Sequence, residues 1–132
     1  MTFDPSLIFS VRRELNDVPE DYLSDEVIYQ ALSQADAYLN KVLDPDVDEV
    51  YRQHCLVVVA AYFAYVKYVA SVERGLGSIP ATSAERLRAL RELAVALVRV
   101  VSRFNIRDDL SIDDAVVGSA IAVGLTESVL DG

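Results

Sequence analysis

At 132 residues and 52% hydrophobic content, the chain is one domain with enough apolar residues for a real core, which excludes a disordered chain. A net charge of −9 argues against general nucleic-acid binding, and a single cysteine, Cys55, excludes a disulfide framework or a cysteine-based metal site. The N-terminus, MTFDPSLIFS, lacks the basic region and long apolar stretch of a signal peptide, so synthesis in a reducing cytoplasm is expected.

The charge is unevenly placed. Residues 1–54 carry 4 basic and 12 acidic residues, and residues 55–81 carry 2 and 1. Residues 82–107 carry 6 and 2, and residues 108–132 carry 0 and 6. An acidic front and an acidic tail thus flank one basic segment, whose basic residues are all arginines. This leaves room for one local basic surface.

The first predicted element is a short helix over 5–15, with Asp4 as N-cap and Pro5 at the first helical position. It ends at Asn16-Asp17-Val18-Pro19, because the residue before proline avoids helical geometry. A second helix starts after the N-cap Ser24, with Asp25 and Glu26 at the positive end of its dipole. Its apolar residues Val27, Ile28, Ala31, Leu32, Ala35, Tyr38, Leu39, Val42 and Leu43 fall in one arc at about 100° per residue. Asp44-Pro45 closes it.

A third helix is expected over 47–74, stopping at Gly75. Its uncharged stretch 55–66 has 12 residues, short of the roughly 20 that span a membrane, so it reads as the middle of a bundle. One row is small or polar: Gln53, Val57, Ala60, Ala64, Lys67, Ser71 and Arg74. Either this row faces solvent or its small residues let another helix approach closely. Tyr62, Tyr65 and Tyr68 lie on other sides and suit core edges or interfaces. The loop 75–81 follows, and Thr82 is expected to form a capping box with Glu85. The fourth helix carries Leu87, Leu90, Leu93, Ala94, Leu97, Val98, Val101 and Phe104 on one face. Glu85, Arg88, Arg91, Glu92, Arg99 and Arg103 stand on the other, and the helix ends near Asn105.

The fold class expected is therefore all-α: a small bundle of four helices, one short and three long, over residues 1–104. Residues 105–132 form a C-terminal arm, extended and non-helical or partly disordered when unbound. The arm begins with a polar turn, Asn105-Ile106-Arg107-Asp108-Asp109, followed by a second acidic pair, Asp113-Asp114. Residues 115–126, AVVGSAIAVGLT, carry no charge. Such a run is too glycine-interrupted for a good helix and too apolar for a solvent tail, so it should lie on something. Burying Val116, Val117, Ile121, Val123 and Leu125 contributes roughly 1.5–3 kcal/mol each before ordering costs.

Chemical motifs are sparse. Asp44-x-Asp46-x-Asp48 opens like a calcium loop, but Glu49 occupies the sharp-turn glycine position and Cys55 the bidentate glutamate position. His54 and Cys55 are adjacent on a helix and do not face each other, which disfavours a nucleophile–base dyad. Gly75-x-Gly77 lacks the strand and lysine of a phosphate loop. The pairs Asp108-Asp109 and Asp113-Asp114 read as solvated carboxylates. A metal-dependent hydrolase is disfavoured because the third helix lacks acidic residues between Tyr51 and Val72. No catalytic, cofactor or metal site is expected. The strongest polar feature is the arginine face Arg88, Arg91, Arg99 and Arg103. It is either an ordinary solvent face with intrahelical pairs such as Arg88 with Glu92, or an interface, where arginine pairs carboxylates bidentately.

The order of parts resembles the head–tail connector (adaptor or head-completion) proteins of tailed bacteriophages. The resemblance lies in the short first helix, the stretch SDEVIYQALSQADAYLNKVL, the apolar QHCLVVVAAYFAYVKYV, the Gly/Pro loop, the amphipathic closing helix and the non-helical arm. It spans residues 5–104 in pattern and carries no diagnostic motif. It implies a structural virion protein made in the host cytoplasm and located at the head–tail interface. Such proteins form a ring, usually of about twelve subunits, beneath the portal. The implied partners are further copies of the chain, the portal protein and a downstream tail or stopper protein. DNA would pass through without specific binding, and no membrane is involved. The alternative reading is a dimeric helical regulatory or DNA-associated module using Arg88, Arg91, Arg99 and Arg103.

Overall fold

A computed structural model describes residues 4–113 of the chain. Its elements in order are α1 (Pro5–Glu14), a single 3-10 turn (Glu20–Tyr22), α2 (Asp25–Val42), α3 (Glu49–Leu76), α4 (Ala81–Val101), β1 (Asn105–Ile106) and β2 (Ile112–Asp113). The protein is all-α, with one short and three long helices, as its periodicity predicts. α3 runs through the middle, and α1, α2 and α4 pack round it. Its alanines at 60, 61 and 64 are fully buried. Small side chains at the crossing let the neighbouring backbones come close, which resolves the small-residue row in favour of packing at its centre. Gln53, Ser71 and Arg74 at its ends are exposed.

The helix starts follow from side-chain caps. The Asp4 carboxylate accepts from the Ser6 amide at 2.9 Å, and the Ser24 hydroxyl accepts from the Val27 amide at 3.2 Å. Asp48 caps α3, accepting from the amides of Val50 and Tyr51 at 3.1 and 3.2 Å. Asp44 accepts from the Asp46 amide at 2.9 Å, so this acidic triplet shapes a turn and a cap. All nine apolar residues assigned to the inner face of α2 are buried or half-buried.

Three helix ends differ from expectation, and the first is that α4, expected to end near Asn105, ends at Val101. α3 passes through Gly75 and stops at Leu76, with Gly77 in the left-handed region at φ +80°, where its amide bonds back to the Glu73 carbonyl at 2.7 Å. Glycine is the residue that reaches this conformation without strain, so Gly77 and not Gly75 is the stop. The capping box of Thr82 with Glu85 does not form: α4 begins at Ala81, after Pro80, with no side-chain cap. Thr82 is already inside the first turn, where its hydroxyl is no longer at the cap position.

The chain beyond α4 begins as part of the body. β1 and β2 pair antiparallel, Asn105 opposite Asp113 and Ile106 opposite Ile112, making a short hairpin. Ile106 and Leu110 are 1% and 3% exposed and belong to the core. The Tyr38 hydroxyl donates to the Leu110 carbonyl at 2.6 Å and ties the hairpin tip to α2. The boundary expected at 104 therefore moves outward by at least these residues. Ile106 and Leu110 join the same core cluster as the buried residues of the four helices. The carboxyl ends of α2 and α4 are joined as well, by Asp44 N–H to Val101 O and Arg103 N–H to Val42 O, both at 2.9 Å.

By length and composition, α3 is the one described helix apolar enough to cross a membrane; half of that apolar stretch is buried inside the fold. That is also the behaviour of a central helix in a bundle.

Candidate interaction surface

The four arginines assigned to one polar face do not form one. Arg88 is exposed, and neither an ion pair with Glu92 nor one with any other described residue forms. Arg99 turns toward the hairpin: its Nε donates to the Ile106 carbonyl at 2.9 Å, and its Nη2 pairs with Asp108 at 3.0 Å. Arg103 lies beyond α4, donates to the Lys41 carbonyl at 3.0 Å and stacks over Phe104. Arg91 is half-buried, and its Nε is fully buried with no hydrogen-bond partner among the described residues. Two of the four thus hold the carboxyl end of the body together, and a third is drawn inward.

The reason is a rotation of α4. Leu87, Leu90, Arg91, Ala94, Val95 and Val98 face inward, while Leu93, assigned to the core face, is 43% exposed. One flank of the exposed side of the helix is apolar: Ala89, Leu93, Ala96 and Val100, at spacings of four, three and four, next to the exposed Glu85, Arg88, Glu92 and Arg99. Val100 is 73% exposed. These spacings place the four residues in line on one side of the helix. Beside the stripe lies a groove of about 240 Å³ between α4 and the hairpin, lined by Arg91, Glu92, Val95, Ala96, Arg99 and Asp108. Ala96 belongs to both.

Other polar groups of the sequence serve the fold. Arg86 pairs with Asp17 at 3.5 Å and donates to the Glu14 carbonyl, fastening α4 to the end of α1. Arg52 pairs with Asp36 at 3.0 Å across α3 and α2. His54 is exposed whereas Cys55 is in the core, where burial pushes its thiol up to about 11. The two cannot act as a dyad. Burial, and secondarily the Asp109 charge, pushes the Tyr38 phenol up to about 12. Asp109 sits below the usual carboxylate range because the Ser111 hydroxyl and amide donate to it. Among the described residues no group of three His, Cys, Asp or Glu side chains is placed to hold a metal ion.

The chain matches no protein-family model, no curated protein and no solved structure. The site therefore rests on its own geometry. Arg88, Arg91, Arg99 and Arg103 are placed as above, while Val116, Val117, Ile121, Val123 and Leu125 lie outside the described residues. The features that sequence reasoning missed are the outward stripe and the inward arginines. The signal was present in the second apolar row of α4, which competes with the Leu90, Ala94 and Val98 row.

Proposed function

We infer that the protein is a structural head–tail connector that assembles side by side into a ring beneath a portal and extends the DNA channel toward the tail. The observation that carries this reading is the outward apolar stripe of α4, which the described residues leave uncovered. Exposed apolar rows of this kind favour packing against another chain. The order of helices and the uncharged run at 115–126 fit the same role. An acidic subunit suits a channel wall that does not retain DNA, because like charges repel. The reading assigns no catalytic step and no cofactor.

The test is the mass of the purified full-length protein, alone and mixed with a portal protein encoded beside it. A ring-sized species with portal is the expected result. A strict monomer that ignores portal at high concentration overturns the reading. The DNA-associated alternative has less support, since Arg99 and Arg103 are engaged within the chain.

A further inference from the structure

We propose that the α4 stripe and its adjoining groove are the seat of the chain's own segment 115–126, which docks there within the same molecule before any partner is met. The last described residue, Asp113, pairs with Asn105, so the chain leaves the hairpin only four positions beyond the end of α4. From Ala89 to Val100 the stripe is about 16 Å long at 1.5 Å per residue. About five extended residues cover that length, so the uncharged run is long enough with residues to spare. Tethering at such short range raises the local concentration of the segment to about the millimolar range, well above that of a second copy in dilute solution.

The segment's pattern fits a one-sided seat. Side chains in an extended chain alternate in direction. Val117, Ser119, Ile121, Val123 and Leu125 then share one side, and Val116, Gly118, Ala120, Ala122 and Gly124 share the other. The large side meets Leu93, Ala96 and Val100, and the small side faces outward. Charge is mixed at the seat: Arg91 and Arg99 line the groove together with Glu92 and Asp108, and Arg88 stands exposed nearby, unpaired among the described residues. Arg91 lines the groove, and its Nε is buried with no acceptor among the described residues. Buried donors are normally satisfied, and an extended segment offers a row of free carbonyls.

The experiment uses the full-length chain carrying Ala96→Cys together with Ser119→Cys, Ile121→Cys or Val123→Cys, so that three registers are sampled. Cys55 is buried and stays out of the reaction. Two differently tagged preparations are mixed at low concentration and oxidised. At least one pair is expected to close a disulfide within single chains in most molecules. The same arm cysteines paired with Ser33→Cys, exposed on α2, should not. A disulfide found only between tags means that a second copy occupies the seat and overturns the proposal, as does the absence of any disulfide to residue 96. As a second readout, Leu93→Asp with Val100→Asp should speed amide exchange across 115–126 by about tenfold. Unchanged exchange overturns the proposal as well. The contact needs no portal, so failure of the ring reading leaves it standing.

Discussion

Leu110→Ala tests whether the hairpin is part of the body or merely rests on it. Leu110 is 3% exposed and sits at φ +73°, in the left-handed region that non-glycine residues seldom occupy. Alanine has the same backbone difficulty as leucine, so the substitution isolates the loss of packing. Buried leucines truncated to alanine cost about 2–5 kcal/mol, with the spread set by how well the site collapses. The hairpin tip lies at the rim and can relax, which places the expectation at about 2–3 kcal/mol. Urea unfolding of the full-length chain measures it as a shift of midpoint with the slope unchanged. Tyr38→Phe removes the 2.6 Å bond to the Leu110 carbonyl and should cost about 0.5–1.5 kcal/mol. Leu110→Ala keeps the carbonyl that Tyr38 bonds, but the two residues touch through it, so the double variant should depart from additivity by about 0.5 kcal/mol or more. A loss below about 0.5 kcal/mol for Leu110→Ala, the range of ordinary surface changes, would refute the hairpin's place in the core.

Alkaline pH should loosen the same contact. The folded state holds the Tyr38 proton more tightly than the unfolded chain does, so its stabilising effect is whole below about pH 10 and is lost as pH rises toward 12. Tyr51 and Tyr65, also raised by burial, act in the same direction. Urea midpoints should fall between pH 9.5 and pH 11, by up to about 1.4 kcal/mol per pH unit for Tyr38 alone, and less steeply in Tyr38→Phe; a midpoint that rises with pH contradicts the assignment. Cys55, buried with its thiol pushed up to about 11, should resist alkylation at pH 8 until urea opens the fold. Mass spectrometry showing prompt modification of the native chain would contradict its burial. Leu93→Asp with Val100→Asp should lower stability by no more than about 1.4 kcal/mol, the equivalent of a tenfold loss of arm docking, yet abolish the ring-sized species with portal; assembly unaffected by both charges would remove the stripe from the subunit interface.

The helices were readable because their signals are local and redundant. Ser24, Asp48 and the arc from Val27 to Leu43 each carry a cap or a period that any neighbour would respect. α4 was harder. It has two apolar rows, Leu90-Ala94-Val98 and Ala89-Leu93-Ala96-Val100, and the choice between them is made by the surface of α3. Arg91 was assigned outward by its charge, yet its stem packs inward with Val95, as long cationic side chains can do. The hairpin was hidden for a different reason. Asn105 to Asp109 reads as a polar turn before a second acidic pair, and only two residues of the hairpin, Ile106 and Leu110, are buried in the core. Their burial depends on contacts with elements far away in sequence, such as Tyr38 of α2, and on a left-handed leucine that no propensity favours.

The charge distribution turns the two functional readings into opposite salt dependences. Several arginines are matched to carboxylates inside the chain: Arg12 to Asp25, Arg52 to Asp36, Arg86 to Asp17 and Arg99 to Asp108. The remaining surplus is negative, at −9 over the whole chain. On the ring reading, subunits side by side repel, and the proposed attraction between them is apolar, along a stripe with no charge of its own. Salt screens the repulsion over about 10 Å at 0.1 M and leaves the apolar attraction nearly untouched. Ring formation should accordingly strengthen as salt is raised from low concentration. Binding to DNA through arginines releases counterions and must weaken along the same titration. One salt series, followed by the mass of the species formed with portal and by retention of a DNA fragment, separates the readings by sign rather than by size. Assembly that weakens with salt would mean that charge pairs hold the interface, and the α4 stripe would then no longer explain it.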